Sequence, residues 1–126
     1  MAKKKSTGSF VDTCVIYFSK TDECWIAHSL RTDQIGTGNC IINALADSLL
    51  AVSQVAIAAK EDSTLTLFRE APRAILNKAK TAEELPREMY EIAHKMAHGS
   101  WPDEIEPAFH SKHHPFVTEI YEAAVA

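Results

Sequence analysis

The spacing of apolar positions along this chain changes from place to place, and each change predicts an element. Phe10 to Ser19 holds Val11, Cys14, Val15, Ile16, Tyr17 and Phe18, a β-branched and aromatic run that stops at Ser19-Lys20-Thr21-Asp22-Glu23. It predicts a strand running into a hairpin loop. Cys24, Ile26, His28 and Leu30 then alternate with Trp25, Ala27 and Ser29, which is the period of a second strand with unlike faces. Gln34-Ile35-Gly36-Thr37-Gly38 predicts a short third strand turning into a helix. From Ile41 to about Glu61 the period becomes helical: Ile41, Leu45, Leu49, Val52, Ala56 and Ala59 share one face, widened by Ile42, Ala46 and Val55. Asn39 is the expected N-cap. The polar stripe of this helix is narrow, because Asn43, Asp47, Gln54 and Glu61 share it with Leu50 and Ala58. Such a helix needs cover on more than one side, from its own sheet or from a second subunit.

In the second half, Leu65 and Leu67 alternate with Thr64 and Thr66, so 63–68 reads as a fourth strand. Pro72 suits the first position of a short helix that includes Ile75, Leu76 and Ala79. Thr81 with Glu84 carries a capping-box signature, and Pro86 marks a second admissible start. The third helix runs on to His98 through Met89, Ile92, Ala93, Met96 and Ala97, with Gly99 as the stop. After Pro115, the residues Phe116, Val117, Ile120, Tyr121 and Ala124 predict a last short helix. The expected fold is one α+β domain, with a small antiparallel β-β-β-α-β sheet packed on one long helix and a helical C-terminal extension. Its parts are a basic tail over 1–9, a sheet-helix core over 10–69 and the extension over 70–126.

Composition limits what this fold can do. With 126 residues and 46% apolar content the chain buries one ordinary core. A net charge of −4 does not call for nucleic acid or an anionic membrane. Lys3-Lys4-Lys5 reads as part of a frayed terminus, with a nucleic-acid arm as the alternative. Ser6-Thr7-Gly8-Ser9 stands where a secretory signal would turn apolar, so the chain is expected in the cytosol. Cys14, Cys24 and Cys40 are an odd set without CxxC spacing, expected to be buried and small rather than paired or zinc-bound. The stretch 40–59 has the length of a membrane span, but Asn43, Asp47, Ser48, Ser53 and Gln54 interrupt it and favour a core helix.

Several residues could carry chemistry. His94 and His98 are four apart on a helix, the spacing at which two imidazoles reach one metal, yet Lys95 stands where the helical H-E-x-x-H motif has its base. Arg87, Glu91, His94 and His98 otherwise read as a solvated helix face. His110, His113 and His114 fall in an expected loop, and His28 reads as a hydrogen-bonded strand residue without a nameable partner. Asp12, Asp22, Glu23 and Asp33 all lie at strand ends or loops, where a metal-binding carboxylate cluster of nuclease type can be imagined. Cys14 and Cys24 could be neighbours across the first hairpin. Gly36-Thr37-Gly38 lacks the third glycine of a dinucleotide loop, and no cofactor motif is found. No catalytic, cofactor or metal residue is assigned. The interface candidates are Leu50, Gln54 and Asp47 on the long helix, together with Trp25 and Trp101.

Cys24-Trp25-Ile26-Ala27-His28-Ser29-Leu30, Asp33-Gln34-Ile35-Gly36-Thr37-Gly38-Asn39 and Ala44-Leu45-Ala46 resemble the HicB-like antitoxin family over roughly residues 11–68. There an aromatic second strand leads through a glycine turn and a polar N-cap into a helix with an Ala-Leu pair. The glycines are expected where the backbone takes a positive φ. The acidic residues that often follow the N-cap in the family are Ile41, Ile42 and Asn43 here. The C-terminal half carries no ribbon-helix-helix or helix-turn-helix, so operator binding is not implied. The resemblance implies a small sheet on a helix, self-association and, in antitoxin members, the masking of a small toxin ribonuclease. Two functions follow: a self-associating, non-catalytic protein-binding module, or a metal-dependent hydrolase using the strand-end carboxylates or the histidines.

Overall fold

Cys14, Val15 and Ile16 are consecutive and all fully buried, so the strand that holds them must be covered on both faces. That strand is β1 (Phe10–Ser19), at the centre of a five-stranded sheet in the computed structural model, which describes residues 10–62, 64–99 and 115–122. In chain order the other elements are β2 (Cys24–Ser29), β3 (Ile35–Gly38), α1 (Ile41–Glu61), α2 (Arg73–Lys80), β4 (Glu83–Glu84), α3 (Arg87–Ala97) and β5 (Phe116–Glu122). The strand order is β3-β2-β1-β5-β4. All neighbours are antiparallel except β4 and β5, so the sheet is mixed. The α+β architecture with one long helix on the sheet matches the sequence expectation.

Alternation along the strands sorts the core into two layers. Cys14, Ile16, Trp25, Ala27 and Phe116 pack with Leu45, Leu49 and Val52 of α1 and with Met89, Ala93 and Met96 of α3. Val15 packs on the other face with Ala71 and with Ile75 of α2, flanked by Tyr17, Leu76 and Val117. Ile92, expected in the apolar face of α3, is 37% exposed, because the buried row is Met89, Tyr90, Ala93 and Met96.

Gly36 and Gly38 are required for a different reason from the one expected. Neither has a positive φ; Gly99, one residue beyond the C-cap His98, is the glycine that does. A Cβ on Gly36 would lie 2.2 Å from the Ser48 amide nitrogen and 2.5 Å from the Ala44 carbonyl oxygen. On Gly38 it would lie 2.6 Å from the Ala44 amide nitrogen. β3 therefore packs its bare backbone directly on α1. The N-cap of α1 is Cys40 and not Asn39, and it makes no side-chain cap. Asn39 Oδ1 accepts instead from Asn43 Nδ2 at 2.9 Å.

The second half departs further from expectation. Of the strand predicted over 63–68, residues 64–68 form none, and Ser63 lies outside the described residues. Leu65 and Phe68 are 47% and 45% exposed, and the chain then joins the turn after β2 through Arg69 N–H donating to Arg31 C=O and Ala71 N–H to Leu30 C=O. The place beside β1 is taken by β5, which was expected to be a helix. Its register runs from Ile16 opposite Phe116 to Phe10 opposite Glu122. The supposed capping box at Thr81 and Glu84 is not one: Thr81 is the C-cap of α2, and Glu83 and Glu84 pair in parallel with Phe116 and Val117. The second half is thus no mere helical extension, because it returns a strand to the sheet next to its centre.

Candidate interaction surface

Among the described residues, only the first half of α1 is enclosed. Its buried residues run from Ile41 to Val52, and none beyond Val52 is buried. Past that point Val55, Ala56, Ala58 and Ala59 are half-buried and Ile57 is exposed. The helix is long and apolar enough to cross a membrane by length and composition, and less than half of its most apolar stretch is buried. The open side carries Asp47, Leu50, Gln54, Ile57 and Glu61, whose spacing of three and four residues alternately makes a continuous seam. Leu50 is 42% and Ile57 is 37% exposed.

At its N-terminal end the seam borders a groove of about 340 Å³, walled by Thr37, Asn39, Asn43, Asp47, Leu50 and Met96. Asp47 Oδ2 accepts from the Thr37 N–H at 3.0 Å. This carboxylate occupies an amide of the edge strand β3 that a foreign strand could otherwise use. Asn43 Oδ1 is buried without a hydrogen-bond partner.

The five interface candidates therefore separate. Leu50 and Asp47 line the groove and Gln54 is exposed one turn on. Trp25 is not a surface anchor: it is 6% exposed and packs edge-on against Phe18, with ring centroids 5.7 Å apart. Trp101 lies outside the described residues, as do Lys3 to Lys5, His110, His113 and His114. Sequence reasoning did not single out Ile57, although it stands seven residues after Leu50. It also missed Ile35, 54% exposed on the edge strand, and Phe68, over whose ring the Arg31 guanidinium sits at 4.5 Å.

The carboxylates do not gather. Asp22 and Glu23 sit in the β1–β2 turn, and Asp12 and Asp33 lie at the other end of that ribbon. Asp12 is 1% exposed. It accepts from Thr13 N–H at 2.7 Å, Arg31 N–H at 2.8 Å and the Thr32 hydroxyl at 2.8 Å, as a brace for the turn after β2. Asp33, held at φ 54°, pairs with the buried His28 through Nε2 at 2.6 Å, which supplies the partner that sequence could not name. Among the described residues, no three of His, Cys, Asp and Glu are grouped as a metal centre would need.

The cysteines are free, and Cys14 and Cys24 are not neighbours, since Cys14 stands opposite Ser29 and Cys24 opposite Ser19. Cys24 and Cys40 are half-buried rather than buried. Burial pushes the Cys14 thiol up to about 12, with the Asp12 charge adding to the rise. Native protein should therefore lose Cys24 and Cys40 to a thiol reagent while Cys14 reacts only after denaturant is added. Equal rates at all three cysteines would contradict this packing.

On α3, Arg87 and Glu91 are exposed and 3.7 Å apart, as a solvated face requires. His94 is not part of such a face. It is half-buried, with the Tyr90 ring at 5.8 Å and the His98 ring at 4.3 Å. Burial, and then the neighbouring His98, lower its pKa below the ordinary histidine value. The unfolded chain takes that proton first, so the stability linked to His94 is present above about pH 6.5 and lost as the pH falls.

No family model, curated protein or solved structure matches this chain.

Proposed function

We propose that the chain is a cytosolic, HicB-like protein-binding module, without catalysis, that self-associates through the open side of α1. The observation that carries this reading is the seam Asp47-Leu50-Gln54-Ile57-Glu61, whose two apolar members stand exposed within the helix's narrow polar stripe. A closed assembly is the simplest cover, because a two-fold axis uses one patch twice. With two copies of α1 crossing antiparallel near Gln54, Leu50 of each copy meets Ile57 of the other. The polar residues at 47, 54 and 61 then set the register, in the way that buried or flanking polar positions do in helical pairs. A small toxin-like protein is the second class of partner, as the HicB-like resemblance implies. A short adjacent gene for a basic double-stranded-RNA-binding-like domain would supply it.

Leu50→Asp tests the surface directly. A charge there would be buried in the assembly and solvated in the free chain. The expected result is a fall in molecular mass in solution with the circular dichroism spectrum retained. An unchanged mass in a folded variant would remove this side of α1 as the interface.

A further inference from the structure

The last turn of α3 holds a second arrangement, independent of the α1 surface. His94 and His98 are one helical turn apart, and their rings are tilted by 33° to each other with centroids 4.3 Å apart. We propose that these two imidazoles chelate one divalent late transition-metal ion, of the class that imidazole favours: Cu²⁺, Ni²⁺ or Zn²⁺. Three features of the helix end prepare them for it.

First, His98 Nδ1 lies 2.8 Å from the His94 carbonyl oxygen. A carbonyl only accepts, so Nδ1 carries the proton and Nε2 keeps its lone pair. This is the backbone contact that fixes the tautomer of metal-ligating histidines. Second, the Tyr90 ring packs beside His94 and restricts it, and among the described residues none hydrogen-bonds to the His94 ring nitrogens. With metal–nitrogen bonds of about 2.0–2.1 Å, the two ligating nitrogens need to be about 3 Å apart, which side-chain rotation brings about when the ion binds. Third, the site stands at the C-terminal end of a helix, where the backbone dipole attracts a cation. Gly99, at φ 92°, ends the helix just beyond His98, so the ligand pair belongs to a defined last turn.

Residue 95 is lysine where a zinc hydrolase helix places its carboxylate, so this helix supplies two metal ligands without the general base of that motif. Binding would fasten the final turn of α3 and raise the melting temperature of the native state.

Isothermal titration of the chelator-stripped, tag-free full chain with Ni²⁺, repeated with Cu²⁺, tests the assignment. One ion per chain is expected, and His94→Ala or His98→Ala should each weaken binding about 100-fold, since losing one ligand removes the chelate. Triple replacement of His110, His113 and His114 by alanine should leave it unchanged. Absence of one-to-one binding in the wild type would overturn the proposal. So would loss of binding in the triple variant, or its survival in a His94→Ala/His98→Ala double variant. If an alanine variant is not folded by circular dichroism, His94→Gln and His98→Asn take its place with the same expected loss. A copper-loaded sample should also show two equivalent nitrogen couplings by electron paramagnetic resonance, and a spectrum without them counts against the pair.

Discussion

Gly36→Ala should unfold at markedly lower denaturant concentration than the wild type, with a loss of about 3 kcal/mol or more. The reason is geometric. The added methyl would come within 2.2 Å of the Ser48 amide nitrogen and 2.7 Å of the Ser48 Cα, both backbone atoms in the middle of a packed helix. Neither can turn aside as a flexible side chain would, so β3 and α1 must separate. Separation opens the layer in which Leu45, Leu49 and Trp25 are buried. For a domain of this size the loss lowers the melting temperature by about 10 °C or more. A Gly36→Ala protein within about 1 kcal/mol of wild type in urea would show that the strand does not rest on the helix backbone.

Asp12→Ala should be nearly as damaging, with an expected loss of about 3–5 kcal/mol. Its carboxylate is 1% exposed, and the Thr32 hydroxyl that donates to it is in a residue equally buried. Thr32 Oγ1 in turn lies 2.6 Å from Ser29 Oγ, and Ser29 Oγ accepts from the Gln34 N–H at 2.8 Å. Removing the carboxylate therefore leaves the amides of Thr13 and Arg31 without their acceptor and unties the turn that carries Asp33. Asp12→Asn should lose about half as much. It keeps one oxygen for the two amides, and the Thr32 hydroxyl can rotate to accept from the new amide. Urea unfolding of both variants reads the effect, and an Asp12→Ala variant as stable as wild type would show that this brace holds nothing.

Two elements are easiest to read in sequence because the sides of each meet different surroundings. α1 kept a helical period over its whole length, and its bounds were found where expected. β2 alternates cleanly because its two faces meet different layers. β5 reads as a helix in sequence because Phe116 faces α1 and α3 while Val117 faces α2. A strand buried on both faces shows a short apolar run in place of alternation, and such a run fits a helix equally well. The Leu-Thr alternation at 64–67 looked like a strand, but beside β1 the position was already filled by β5. Gly36 and Gly38 were seen, yet sequence cannot tell a glycine needed for its φ from one needed for close approach. For the candidate surface, Leu50 was legible as an apolar residue in a polar stripe. Trp25 was not, since an aromatic residue on a strand looks the same whether it anchors a partner or fills the core. Asp12 carried no sign that its partners lay about twenty residues on, beyond the second strand.

Self-association through α1 is the central claim, and the mass of the wild-type chain in solution tests it most directly. Sedimentation equilibrium at micromolar concentration should give twice the chain mass of 13.9 kDa, or a larger whole multiple, with dissociation on dilution following a single association constant. A mass of one chain across the accessible concentration range, in a folded sample, would contradict the account.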